Sequence, residues 1–508
     1  MSDFQTKPEL LQFIDELYES NINDPYIMFK ISQYITVQLP RNIESLKVSR
    51  IESQKRIQEK VSDQDNFIQT FLNTHSYFYS PSTERFFYYD GMVYSPYGEE
   101  DILNHIFVEA SKERQLTTCK QRIKISTLKR IKENSLLKSI PNSGTIQSVI
   151  NLIYPLFFSS KTQAKYFLTI LGDGMLKKTQ GLIYFITPHA KLFLKEINSY
   201  AQLYLGTHPA ALFKYKYHEH EYSNCRLVRI LDTIKIDPLF YSFLNTRVLD
   251  ILCVATHYST RFRTADEYLT SYSNDDDLVD YSFYLKDRTP VDLIRNFCDE
   301  YIIRKDSAPP CSWKTVQYLL KHFLESKCLP TVFFQNELIS YFSENINYNP
   351  TTKIVTGIFS KYMPKIERFL QFWDENITIL PISTNTEYEI DEILLLFKKW
   401  TSVKEGITEH EIFDLITHFY PSVETDNEKY LLNIKCLIWD KDRDLSEKIS
   451  AIVVTDESMI SIYDAYDMYC KSANQMIVSK SFFEKYVFTN LRDFIIDEKF
   501  ISLEFWKT

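Results

Sequence analysis

The spacing of apolar and polar positions changes several times along this 508-residue chain, and each change marks a new kind of element. Up to about residue 75 the period is helical. Between Asn42 and Val61, Ile43, Leu46, Ile51 and Ile57 recur among charged residues and predict an amphipathic helix. The pattern then gives way to Arg85-Phe-Phe-Tyr-Tyr-Asp90-Gly91-Met-Val-Tyr94, two β-prone runs around Asp-Gly, which predict a hairpin. A helix from about Glu99 to Lys112 should follow. From Pro141 and Asn142-Ser143-Gly144 to about residue 305, short apolar runs alternate with helical stretches. This predicts an α/β segment with strands at Leu182 to Thr187, Arg226 to Leu231 and Val248 to Ala255. Past Ser307-Ala-Pro-Pro310 the pattern is mostly helical. It includes Glu389 to Trp400, a helix opened by the capping box Thr408-x-x-Glu411, and helices at Ile460 to Lys471 and Ser479 to Arg492 before a β-prone tail. No internal repeat is legible. The expected fold class is α+β and predominantly helical. Its parts are a helical region (1–75), a hairpin-helix domain (76–140), an α/β domain (141–306), a helical module (307–455) and a C-terminal module (456–508).

Composition narrows the chemistry. The chain has nine glycines, where average usage would give roughly 36. Phosphate-cradling loops and oxyanion turns depend on backbone that glycine supplies cheaply, so few places remain for them. Scarce Gly and Pro beside abundant Phe, Tyr, Ile, Lys and Asn point to AT-rich coding. The net charge of −9 argues against a uniformly basic nucleic-acid coat and leaves only a local patch. The eight cysteines have no C-x-x-C spacing, which indicates neither a zinc ribbon nor a disulfide framework. No basic leader precedes an apolar run, and no run approaches the length of a membrane span. An intracellular, non-membrane protein is expected.

Four constellations carry candidate chemistry. Gly172-Asp-Gly174-Met-Leu-Lys177-Lys178-Thr179 approximates a phosphate loop, with Lys177 where the second glycine belongs and Gly181 where a helix should run. A helix end or turn is the competing reading. His218 and His220 in the Lys214 to Tyr222 segment, with Cys225 nearby, suggest zinc, yet no further ligand pair is signalled; a solvated or nucleic-acid-facing strand is the alternative. Asp275-Asp276-Asp277 with Asp280 could hold a divalent ion or form an exposed acidic loop. The strongest interaction signal is the basic stretch from Lys112 to Lys138. Lys120, Arg122, Lys124, Lys129, Arg130 and Lys132 are its candidates for backbone-phosphate contact, against a solvated helix face as the alternative.

The order of these parts resembles the poxvirus-type primase-helicases of superfamily 3. The resemblance is carried by Phe86-Phe-Tyr-Tyr-Asp90-Gly91-Met-Val-Tyr94 with the helix after it, and by Leu182-Ile-Tyr-Phe-Ile-Thr187-Pro-His-Ala-Lys191. Cys225-Arg-Leu-Val-Arg-Ile-Leu-Asp232 and the segment from Ile462 to Lys485 carry the rest. It implies an N-terminal accessory domain, a strand, phosphate loop and helix with Lys191 as the phosphate-binding lysine, Asp232 as the Mg²⁺-positioning carboxylate, and a closing winged-helix module. Thr187-Pro188-His189-Ala190 stands where that family has a glycine-rich loop, so the resemblance implies a lost ATPase. The aromatic, AT-rich bias also looks like that of giant-virus proteins.

The expectation is a non-catalytic nucleic-acid-binding or replication-associated protein derived from a viral primase-helicase. The alternatives are a virion structural or scaffold protein, and an atypical ATPase using Lys178, Thr179, Lys191 and Asp232. No metal and no cofactor are expected, with ATP and Mg²⁺ bound only if the atypical loop works. The expected partners are nucleic acid and viral replication or virion proteins, without a membrane and with oligomerisation allowed, in the host cytoplasm, viral factory or virion.

Overall fold

An amphipathic start builds a long helical arm. Helix α1 (Lys7–Ser20) is followed by α2 (Pro25–Gln33), whose N-cap Asp24 accepts from the Tyr26 and Ile27 amides at 3.0 and 3.2 Å. A π-turn (Tyr34–Gln38) joins α2 to α3 (Leu39–Thr74). Pro40 lies in the first turn of α3 and has no N–H, and widening the preceding turn keeps the helix unbroken. The run from Pro25 to Thr74 is therefore about 75 Å long. The computed structural model describes residues 6–113, 116, 119–178, 181–231, 238–381, 386–401, 406–452, 459–472 and 476–506. They form an α+β, mainly helical chain that divides into two compact units, Met1–Arg288 and Thr289–Thr508.

In the first unit, strands β1 (Ser76–Ser80), β2 (Arg85–Tyr89) and β3 (Tyr94–Tyr97) form an antiparallel meander. The Asp-Gly signal is a tight turn: Gly91 has φ +95°, and the Asp90 carboxylate accepts from the Met92 and Val93 amides, both at 2.7 Å. Helices α4 (Glu99–Lys112) and α5 (Lys120–Glu133) pack beside this sheet. Their Ile102, Ile106, Ile123 and Ile131 share a core with Phe67, Ile68 and Phe71 from the end of α3.

A larger core follows. It takes in α6 (Ser143–Ile153), α7 (Lys161–Met175), α8 (Lys191–Leu205), α9 (Pro238–Phe262) and α10 (Ala265–Ser271), with α11 (Asp276–Ser282) beside it. Strands β4 (Ile183–Ile186), β5 (Phe213–Lys214) and β6 (Cys225–Val228) make a small parallel sheet with β4 central. Two expected strands are corrected here. Val248 to Ala255 lies inside α9 with every residue buried, and an apolar run enclosed on all sides loses the periodicity that separates helix from strand. Of the expected Lys214 to Tyr222 strand only Lys214 pairs with the sheet, as the last residue of β5.

The second unit repeats one order of elements three times. The first copy runs α12 (Pro290–Tyr301), β7 (Ile303–Arg304), β8 (Cys311–Ser312), α13 (Trp313–Ser326), α14 (Gln335–Asn345), β9 (Asn347–Asn349), β10 (Ile354–Thr356) and β11 (Ile358–Phe359), with β11 paired to β7. The second runs α15 (Met363–Asn376), β12 (Ile377–Ile379), β13 (Glu387–Glu389), α16 (Ile390–Thr401), α17 (Glu409–Phe419), β14 (Glu424–Asp426), β15 (Tyr430–Leu432) and β16 (Ile434–Cys436), with β16 paired to β12. The third runs α18 (Lys441–Ser450), β17 (Met459–Ser461), α19 (Ile462–Ser472), α20 (Lys480–Asn490), β18 (Ile495–Ile496) and β19 (Phe500–Ser502). All three share helix, strand, two helices and a hairpin; the first two add an outer strand pair, β7 with β11 and β12 with β16, that the third lacks among the described residues. Each three-stranded sheet places the last strand between the first and the second: β8-β10-β9, β13-β15-β14 and β17-β19-β18. A repeat of topology is thus present where the sequence pattern shows none.

Candidate nucleic-acid interface

Helix α5 is amphipathic. Ile123, Thr127 and Ile131 recur at four-residue spacing and are buried against the sheet, which turns the basic residues outward and sideways. Most of the six candidate cations are tied to protein. The Lys120 ammonium donates to Ser111 Oγ at 2.8 Å, and Arg130 pairs with Asp65 of α3 at 3.2 Å. Lys124 lies over the Phe107 ring at 5.9 Å. Lys132 is 4.0 Å from Glu99 and 5.6 Å from the centres of the Tyr79 and Phe86 rings, with about half of its side chain exposed. Arg122 and Lys129 are exposed on one side of α5, and no hydrogen bond or ion pair is recorded for either among the described residues. Arg122, Lys129 and Lys132 thus form the outward row, three residues rather than six.

The other constellation breaks up. Gly172 and Gly174 are interior residues of α7, not a loop. A β-carbon at Gly172 would lie 2.1 Å from the Ala255 carbonyl oxygen, so this glycine is where α7 and α9 cross at closest approach. The Lys178 ammonium donates to the Ser259 and Arg263 carbonyls at 2.7 and 3.0 Å, capping the end of α9 where the helix dipole favours a cation. It is occupied in holding two helices together. Thr179 and Asp232 lie outside the described residues.

Lys191 opens α8 and is exposed. The turn from β4 into α8 is a 3-10 turn beginning at Pro188, which has no N–H. The Ala190 amide bonds to the Thr187 carbonyl at 3.2 Å and the Lys191 amide bonds back to Pro188. These amides are spent internally and do not form an anion-binding cradle. The metal readings fare similarly. Asp275 caps α11 by accepting from the Leu278 amide at 3.0 Å, and buried Cys225 donates its thiol to the Glu221 carbonyl. Among the described residues no group of three or more His, Cys, Asp or Glu side chains could hold a metal.

Sequence reasoning missed two buried carboxyls. Asp173 of α7 accepts from Ser259 Oγ at 2.5 Å and the Ala265 amide at 2.7 Å, and Asp250 of α9 accepts from the Tyr94 amide at 2.7 Å and forms an ion pair with Arg247 at 3.1 Å. Burial outweighs these bonds and pushes each carboxyl up to about 6. Each is shut away from solvent and ties one element to another. Below the ordinary carboxyl range both are neutral in the folded and the unfolded chain. As pH rises from about 4 to 6 the unfolded chain releases its protons first, so stability contributed by the neutral carboxyls is lost through that window. The deficit of Asp173→Asn relative to wild type should therefore shrink by up to about 3 kcal/mol between pH 4 and pH 7. Urea unfolding of both proteins across that range measures it, and a constant difference would exclude an elevated Asp173.

The chain matches no protein-family model, no curated protein and no solved structure. No described helix is long and apolar enough to cross a membrane.

Proposed function

We propose that this protein is a non-catalytic, nucleic-acid-associated scaffold, touching the phosphate backbone through Arg122, Lys129 and Lys132 and carrying a tandem array of winged-helix modules that faces proteins. The observation that carries the reading is the order of elements repeated three times in Thr289–Thr508. Helix, strand, two helices and a hairpin, with the last strand central, is the winged-helix arrangement. The second helix of each helix pair, here α14, α17 and α20, is the one that would enter a DNA groove.

Charge decides what those helices can meet. Helix α14 has Glu337 and Glu344 and no Lys or Arg. Helix α17 has Glu409, Glu411 and Asp414 and likewise none; α20 alone brings Lys480 and Lys485. Residues 289–508 hold 24 Lys and Arg against 34 Asp and Glu, whereas residues 1–288 hold 34 against 33. An acidic array repels a polyanion and favours basic protein surfaces. The nucleic-acid contact therefore falls to α5. The strand, turn and helix of β4 and α8, with β6 parallel beside β4, support descent from a viral primase-helicase whose phosphate loop has been replaced by a proline turn.

Anisotropy of a labelled single strand, DNA and RNA in parallel, tests the assignment on the full chain. Three phosphate contacts should give a slope of about −2 in log affinity against log salt. Arg122→Glu/Lys129→Glu/Lys132→Glu should abolish binding, while Lys480→Glu/Lys485→Glu should leave it unchanged. Loss of binding in the second variant and not the first would move the contact to the array.

A further inference from the structure

The end of the hairpin sheet nearest Lys132 is one aromatic rung. Tyr79 of β1 lies opposite Phe86 of β2, and Phe86 opposite Tyr97 of β3, so the three side chains stand abreast on one face, with the Tyr79 and Phe86 ring centres 4.8 Å apart. Beyond this rung, where β2 begins and β3 runs on towards α4, is a concave pocket of about 430 Å³ whose lining includes Glu84, Arg85, Phe86, Tyr97 and Glu99. Phe86 is buried, Tyr97 is half-buried on the outer strand, and the three charged residues are exposed. Lys132 stands at the edge of this pocket: its ammonium is 4.0 Å from Glu99 and 5.6 Å from the centre of the Phe86 ring. The row of Arg122, Lys129 and Lys132 covers about 15 Å along α5. It therefore ends beside the pocket.

We infer that the pocket takes an unpaired base from a single strand whose backbone lies along that row, and that it prefers bases with an exocyclic amino group, guanine first. The inference rests on the phosphate contact proposed for Arg122, Lys129 and Lys132, and it names the ligand of that contact. The lining separates the roles. Two carboxylates against one arginine leave the pocket itself net negative, so a phosphate is repelled from its interior and belongs on Lys132 outside. Tyr97 offers a π-face on which any base can stack. Glu84 is in no ion pair or hydrogen bond among the described residues, and an ionised carboxylate only accepts. It therefore favours an edge rich in N–H groups, and is disfavoured by thymine and uracil, whose single ring N–H sits between two carbonyls. Guanine carries its ring N–H and amino group side by side, which gives a carboxylate two parallel bonds. In a duplex these donors face the opposite base inside the stack, so only an unpaired base can present them to Glu84.

Anisotropy on the full chain tests this with an all-thymine strand, the same strand with one central guanine, and the latter annealed to its complement, with uracil in place of thymine for the RNA set. The guanine strand should bind about tenfold more tightly than the all-thymine or all-uracil strand, and annealing should remove the gain. Glu84→Gln, a change at an exposed side chain, should abolish the preference. Tyr97→Ala should weaken both single strands about tenfold. Neither variant should alter the salt slope, because neither removes a phosphate contact. Equal affinity for the two single strands, or a preference that survives Glu84→Gln or annealing, would overturn the pocket assignment while a retained salt slope leaves the phosphate row standing. A wild type that binds no strand would overturn both.

Discussion

Gly172→Ala is expected to destabilise the first unit by about 3 kcal/mol or more, enough to unfold a marginal domain. In an isolated helix the exchange would gain roughly 1 kcal/mol from alanine's higher propensity. Here the new methyl would sit 2.1 Å from the Ala255 carbonyl oxygen and 2.7 Å from the Ser259 β-carbon. The nearest group is backbone in the fully buried middle of α9, so it cannot swing aside as a flexible side chain would. Relief requires α7 and α9 to separate, and the core built on Leu168, Leu171, Leu252 and Ala255 would open with them. Thermal and urea unfolding of the variant would register the loss. A phosphate-loop glycine would give the opposite pattern, with nucleotide affinity lost and stability nearly unchanged. Gly181→Ala serves as control: it has open space around it but a φ of +81°, so its cost should be about 1 kcal/mol of backbone strain. Wild-type stability in Gly172→Ala would mean that the helices do not cross at this residue.

The same glycine explains part of what the sequence could and could not disclose. Spacing of Gly and Lys suggests a loop, but a glycine needed for close approach of two helices has the same letter as one needed for a turn. Local signals were legible. The hairpin at Asp90-Gly91, the helix Glu99–Lys112 and the capping box at Thr408 and Glu411 depend on neighbours in sequence, and each lies where its pattern placed it. The threefold order of the second unit was hidden because its hairpins lack the usual punctuation. The turns between β14 and β15 and between β18 and β19 hold Asn427, Glu428, Asp497 and Glu498 at φ between 51° and 55°, the left-handed backbone for which glycine is the common choice. In so glycine-poor a chain those strands read as unmarked polar segments. The basic face of α5, proposed as the phosphate contact, was half legible. Its basic run was visible, whereas the division between Arg122 and Lys129 on the surface and Lys120 and Arg130 spent on Ser111 and Asp65 depends on tertiary partners no local pattern encodes.

Lys441→Ala should cost the second unit about 3–5 kcal/mol, the usual consequence of leaving one charge of a buried pair alone. Lys441 is 3% exposed. Its ammonium donates to Glu392 Oε2 at 2.8 Å and to the Glu387 carbonyl at 3.2 Å, and lies 3.8 Å from the centre of the Phe482 ring, so it joins α18 to β13, α16 and α20 at one point. Glu392 is equally enclosed, and burial holds its carboxyl above the ordinary range even with Lys441 beside it. Removing the lysine takes away the attraction that opposed that rise. The carboxyl should then stay protonated to higher pH, and the deficit of Lys441→Ala should be largest near neutrality and shrink as pH falls and the unfolded chain's Glu392 also becomes protonated. The pair is costly to break and need not be stabilising in itself, because two desolvated ions offset much of their own attraction. Lys441→Met/Glu392→Leu, which fills the same space with apolar atoms beside Phe482 and Tyr388, should recover most of what Lys441→Ala loses. Urea midpoints of the three proteins separate the cases: recovery in the double variant means that the single change costs an orphaned charge, whereas equal loss in both means that the ion pair itself contributes the stability.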